Sequence, residues 1–163
     1  MNRTQQIKKH NLFYLLILLL AFNSCAGNDV YFQYHNVAQN GWSADSVYVY
    51  DVNIADTNTS YNVYVNVRNR GEYPHQNMWL FIKKTAVGDS VSVNDTINFY
   101  LADQRGKWLG SGVGSVFEMP VLYQQSIRFP KAGIYRYELT HGMRDSILIG
   151  VNDIGLRVEK LAE

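Results

Sequence analysis

The chain has a single cysteine, Cys25, and proline only at Pro74, Pro120 and Pro130. One thiol excludes an intramolecular disulfide. Four histidines, His10, His35, His75 and His141, are far apart in sequence and none pairs with another at metal-ligand spacing. A zinc site is therefore not expected, and no cofactor. No block of basic charge follows residue 9. Arg3, Lys8 and Lys9 precede the first acid, Asp29. Setting residues 1–24 aside leaves 12 basic groups against 14 acidic ones. Nucleic acid, which needs a concentrated positive face, is not an expected partner. The longest apolar run, Leu12–Phe22, has eleven residues, short of the roughly 20 that span a bilayer as a helix. Beyond it, no amphipathic helix of about ten residues or more can be traced.

The N-terminus has a positive segment, then that apolar run, then Asn23-Ser-Cys-Ala-Gly27. This is the layout of a secretory signal. A lone thiol directly behind the apolar run, with small Ser24 before it, reads as a lipobox. Cys25 then carries diacylglycerol and further acyl chains such as palmitate. The alternative is ordinary signal cleavage after Ala26. One acyl chain holds a protein to a bilayer only marginally, and several hold it firmly. The expected layout is a signal at 1–24, a lipidated tether at 25–41 and a folded domain at 42–163. No acidic run follows the cysteine, which favours the periplasmic leaflet of the outer membrane.

Twelve tyrosines, seven phenylalanines and three tryptophans favour strands. Period-two alternation is clear at Tyr48, Tyr50, Val52, Ile54 and at Tyr61, Val63, Val65, Val67. Asn77–Ile82 is apolar at nearly every position and reads as a central strand covered on both faces. Further strands are expected at Thr96–Leu101, Val121–Phe129, Ile134–Leu139, Ile147–Ile149 and Ile154–Val158. About seven or eight short antiparallel strands separated by turns predict an all-β sandwich, Ig-like or jelly-roll-like.

Few stretches suggest chemistry. Gly106-Lys-Trp-Leu-Gly-Ser-Gly-Val-Gly114 is glycine-rich but lacks the Gly-Lys-Ser/Thr order and following helix of a phosphate loop. It reads as a flexible loop whose Lys107 and Trp108 are candidate partner contacts. His141-Gly-Met-Arg-Asp145 reads as a hairpin tip, with His141 and Arg144 as further candidates. Nothing resembles a nucleophile elbow, and Asp103 and Glu118 read as surface charges, so an enzyme is not expected. Trp79 and Trp108 are the stacking residues of an alternative reading, a carbohydrate-binding protein of a glycan-uptake system, although Trp79 sits where core packing is expected. Asp followed by Ser or Thr and then an aliphatic residue recurs at Ser46, Ser90, Thr96 and Ser146. The triplet resembles an O-glycosylation acceptor of some exported bacterial proteins, and ordinary turn-then-strand sequence produces it as well.

Several motifs in order resemble the GldH family of gliding-motility lipoproteins. They are Trp42-Ser-Ala-Asp-Ser-Val47, Tyr61-Asn-Val-Tyr-Val-Asn-Val-Arg-Asn69 with Tyr73-Pro74, and Leu101-Ala-Asp103 with Gly106-Lys-Trp-Leu-Gly110. Arg128-Phe-Pro130, His141-Gly-Met-Arg144, Val151-Asn-Asp-Ile-Gly-Leu-Arg157 and Glu159-Lys160 complete the set. The resemblance implies a non-enzymatic envelope lipoprotein that supports gliding and the linked secretion machinery through contacts with other envelope proteins. It carries over no catalytic residue. Phe22-Asn23 departs from the usual lipobox pair.

Labelling cells with a fatty-acid analogue tests the N-terminal reading. Incorporation is expected in the wild type and none in Cys25→Ala, which should leave the membrane fraction. An unlabelled wild-type protein would refute lipidation.

Overall fold

Strand residues alternate sides, so a strand with apolar residues at every second position can bury only one face. The computed structural model describes residues 28–161, and its strands follow that rule. In β3 (Tyr48–Ile54) the residues Tyr50, Val52 and Ile54 are buried, and in β4 (Tyr61–Arg70) so are Tyr61, Val63, Val65 and Val67. β9 (Gly133–His141) buries Tyr135, Tyr137, Leu139 and His141, while β11 (Val151–Lys160) buries Ile154, Leu156 and Val158.

The remaining strands are β1 (Asp29–Asn36), β2 (Trp42–Ser43), β5 (Asn77–Ala86), β6 (Ser92–Tyr100), β7 (Ser111–Val113), β8 (Val116–Ile127) and β10 (Ile147–Leu148). They form two main antiparallel sheets, ordered β1-β11-β4-β8-β7 and β3-β9-β5-β6, with a small β2–β10 ribbon. The sheets pack as a sandwich around one apolar core. Eight strands have seven residues or more, in keeping with the expected number. The chain crosses directly between the main sheets from β3 to β4, from β4 to β5, from β6 to β7 and from β8 to β9. A buried bond joins the layers: the Tyr50 hydroxyl donates to the Ile154 carbonyl at 2.8 Å.

Four details differ from the sequence reading. Part of the expected tether, Asp29–Asn36, is the edge strand β1, paired with β11 from Asp29↔Glu159 to Asn36↔Asp153. Its aromatics lie on both sides: Tyr31 packs on the core, whereas Phe32 is exposed, so no clean alternation marks it. β5 is central in its sheet, but only Met78, Leu80 and Ile82 face the core, and Trp79 and Phe81 are exposed. The 106–114 stretch is organised by β7 and by a bridge between Ala102 and Trp108. Pro120 sits inside β8, where β4 pairs on one side only, because β7 reaches no further than Glu118. A proline without an amide hydrogen is tolerated at such a free edge. Residues 1–24, Cys25 and His10 lie outside the described residues.

Gly150 adopts φ +77°, and a Cβ there would collide with the backbone N of Tyr73. Gly150→Ala should therefore destabilise the fold more than Tyr50→Phe, which removes one buried hydrogen bond worth about 1–2 kcal/mol. Urea midpoints at unchanged m-value test the ranking.

Candidate partner surface

The outer faces of the two sheets differ in kind. On the five-stranded sheet arginines lie over two of the outer aromatics, Tyr34 and Tyr64, while Phe32 on the edge strand stays exposed. The Arg68 guanidinium lies 3.9 Å from the Tyr34 ring centroid and Arg157 lies 4.4 Å from that of Tyr64. Arg68 also pairs with Glu118 at 2.9 Å and reaches Asp153 at 3.8 Å. Asp153 is buried and accepts from Asn36 and Asn152 at 2.5 and 2.7 Å. Burial, with the Glu118 carboxylate beside it, pushes the Tyr34 hydroxyl up to about 12.

On the four-stranded sheet Trp79 and Phe81 stand bare, 42% and 50% exposed. They point outward because Met78, Leu80 and Ile82 occupy the inner face of the same strand. The chain after β9 turns over them. The Gly142 amide donates to the Trp79 carbonyl at 2.7 Å, and the Trp79 amide points at the Met143 sulfur at 3.3 Å. A Cβ on Gly142 would lie 3.0 Å from the Phe81 ring, so glycine allows this close approach. Asp145 then meets His75 at 2.7 Å. Trp79, Met143 and Arg144 with His75, Asn77 and Asp145 line a hollow of about 280 Å³. A broader depression of about 810 Å³ lies around Phe81 and includes Val47, Thr96, Thr140 and the Lys83–Glu138 ion pair.

Two of the sequence-predicted contacts fit an exposed surface and two do not. Arg144 is exposed on the rim of the smaller hollow. Lys107 is exposed in a turn where the Asp103 carboxylate accepts from the amides of Arg105 and Lys107 at 2.8 and 2.9 Å. Trp108 is half-buried, packed against Tyr73 and Phe117 at ring-centroid distances of 6.3 and 5.9 Å, and is not a free indole. His141 is buried. Its Nε2 donates to the Trp42 carbonyl at 3.0 Å and its ring meets the Trp42 indole edge-on. It supports the turn below Arg144 and presents nothing to a partner.

Trp108 and the 141–145 turn are nonetheless linked in space, through the contact series Trp108, Tyr73, His75 and Asp145. Asp103 organises its turn and Glu118 is held by Arg68, so the two acids do different work. Ser90, Thr96 and Ser146 are exposed, and Ser46 is half-buried with its carbonyl accepting from the Trp42 indole at 3.0 Å.

The model of the GldH lipoprotein family matches residues 29–158. The chain is similar to a gliding motility lipoprotein GldH homolog of Christiangramia forsetii, 28% identical over 157 residues that cover 92% of this chain and 95% of the relative. It is similar as well to the gliding motility lipoprotein GldH of Flavobacterium johnsoniae, 28% identical over 153 residues, 90% and 94% of the two chains. A solved chain of the infectious bursal disease virus VP2 subviral particle aligns at a TM-score of 0.19 and 14% identity, over 82% of this chain and 40% of that one. That score carries no argument.

Burial holds the His141 imidazole below its ordinary value, against the opposing pull of the Trp42 carbonyl and the Asp145 charge. Its contribution to stability is therefore present above the unfolded value of about 6.5 and is lost as pH falls through the lower folded value. Wild-type stability should drop as pH falls below about 6.5. His141→Gln should flatten that drop while lowering stability at neutral pH. Equal slopes in urea titrations of the two proteins would exclude His141 as the source.

Proposed function

The chain belongs to the GldH lipoprotein family, and on that premise we propose that it is a non-catalytic, lipid-anchored envelope protein that supports gliding motility. It does so, together with the linked secretion machinery, by binding other envelope proteins. The anchor is the acylated Cys25, in the periplasmic leaflet of the outer membrane. The observation that carries the binding role is the bare Trp79–Phe81 stripe beside the Arg144 hollow. Aromatic side chains and arginine dominate the energetics of protein interfaces, because they bury much area and lose little conformational freedom. Trp79 and Phe81 are neighbours on one face, and a contiguous exposed apolar patch is what marks an interaction site. On the other sheet Arg68 and Arg157 already occupy the faces of Tyr34 and Tyr64, and among its described aromatics only Phe32, at the edge, is comparably open.

A second reading rests on the same tryptophan. An indole at the rim of a polar hollow is suited to stack on a sugar ring, which keeps the glycan-binding alternative in view. Trp79 carries it, since Trp108 is packed.

A photo-activatable residue at Phe81 should crosslink in cells to envelope proteins, and one at Leu122, on the outer face of the five-stranded sheet, should not. Trp79→Ala combined with Arg144→Ala should reduce surface spreading or protein secretion with the membrane level of the protein unchanged. Normal spreading and secretion in that variant, with no adduct at residue 81, would reject the protein-contact reading. Calorimetric binding of an oligosaccharide, abolished by Trp79→Ala, would favour the glycan.

A further inference from the structure

At one end of the sandwich the β5–β6 hairpin exposes an apolar tip. Val87, Val91 and Val93 are 54%, 78% and 52% exposed, and Ile134 beside them is 45% exposed. Val87 is fixed to Ile134 by a backbone bond of 2.8 Å. One exposed valine needs no explanation, but a cluster at a protruding tip marks a surface that meets something apolar.

The register shows which end this is. Ala86 pairs with Tyr135 and Gly133 with Ile54 in one sheet, while Tyr61 pairs with Lys160 and Ile127 in the other. The short links from Ile54 to Tyr61 and from Ile127 to Gly133 cross this same end. Here too the chain enters the domain, since the Asn28 carbonyl accepts from the Lys160 amide at 2.8 Å. Asn28 lies three residues along the chain from Cys25, a reach of about 10 Å at full extension.

We propose that this tip is a second membrane contact, dipping into the lipid interface beside the anchor and holding the domain upright. The proposal rests on the acylated Cys25 of the preceding section. That anchor brings the end of the sandwich carrying the valines to the headgroups and leaves the opposite end in water. The ionic groups at the tip suit shallow immersion. Asp89, between Val87 and Val91, is paired with Lys131 at 2.6 Å, and Asp56 with Lys160 at 2.8 Å. Paired charges cost less to bring into a region of low water content than single ones. Arg128, exposed in the β8–β9 link, adds a cation at headgroup level.

The test uses the full lipoprotein, purified in detergent and reconstituted into phosphatidylethanolamine–phosphatidylglycerol vesicles. An environment-sensitive dye is placed on Val91→Cys, with Ile149→Cys, exposed at the opposite end, as the reference. The mass of Cys25 and flotation with vesicles are recorded on the same samples. Blue-shifted emission at position 91, quenched by lipid-borne spin labels, with position 149 unchanged, is expected. A water-like signal at 91 in acylated, floating protein overturns the membrane contact and leaves the anchor standing. Unacylated protein that does not float overturns the anchor, and the tip contact with it. Shielding at 91 that disappears when the protein is diluted at constant lipid identifies a second copy as the cover and overturns the proposal.

Discussion

Everything in this fold depends on the contact between two inner faces. Val63, Val65, Val67, Ile154, Leu156 and Val158 come from one sheet, and Tyr50, Val52, Leu80, Ile82, Tyr137 and Leu139 from the other. Each is at most 1% exposed. Apolar burial of this kind is the main favourable term in folding. It has no direction of its own, so the strand period decides which side chains take part. The Tyr50 hydroxyl on the Ile154 carbonyl adds the directional element that plain apolar packing lacks.

A two-layer sandwich leaves two outer faces in water, and the chain treats them differently. On the five-stranded sheet Arg68 and Arg157 lie over Tyr34 and Tyr64, and carboxylates bind the guanidinium groups in turn. A partner binding over Tyr34 or Tyr64 would have to break those contacts, and Phe32 and Leu122, open apolar groups of this face, lie away from the hollow beside Trp79. On the four-stranded sheet the polar groups pair with one another, as Lys83 does with Glu138 and Arg136 with Asp51. Trp79 and Phe81 are left between them, with Gly142 and Met143 against them and about half of each open to water. Binding there removes apolar area from water without breaking an ion pair, which is the cheaper route to an interface.

Most of the core was legible because period two is unambiguous wherever one face is polar, as at Tyr61–Val67. The failures share a cause. In Asn77–Ile82 both parities are apolar, so the sequence cannot distinguish a strand covered on both sides from one with a bare aromatic face. In Asp29–Asn36 aromatics alternate with one another, which hides the edge strand. His141 was readable: it continues the parity of Tyr135, Tyr137 and Leu139 and must therefore face inward. Its chemical type suggested a surface role and obscured that register. The His75–Asp145 contact joins residues 70 positions apart and leaves no local trace. The anchor cysteine lies outside the described residues, and its role still rests on the N-terminal pattern and on the family.

The long axis of the sandwich gives these features an order. β5 runs ten residues, Asn77–Ala86, about 33 Å of extended chain. Trp79 stands near its start, beside Arg144 and the small hollow, and the valine tip follows its end. The chain enters the domain at the valine end through Asn28. If Cys25 is acylated and the Trp79–Phe81 stripe binds partners, as proposed, one strand would span from the lipid surface to the partner surface, and a reach of about 10 Å from Cys25 to Asn28 would be too short for the two to change places. A lipid anchor alone would let the domain tumble about a single point. A second contact at the tip would limit that rotation and keep the Trp79–Phe81 stripe a fixed height above the membrane. Binding partners held in the same membrane would then meet a surface already oriented, and less rotational freedom would be lost when they dock.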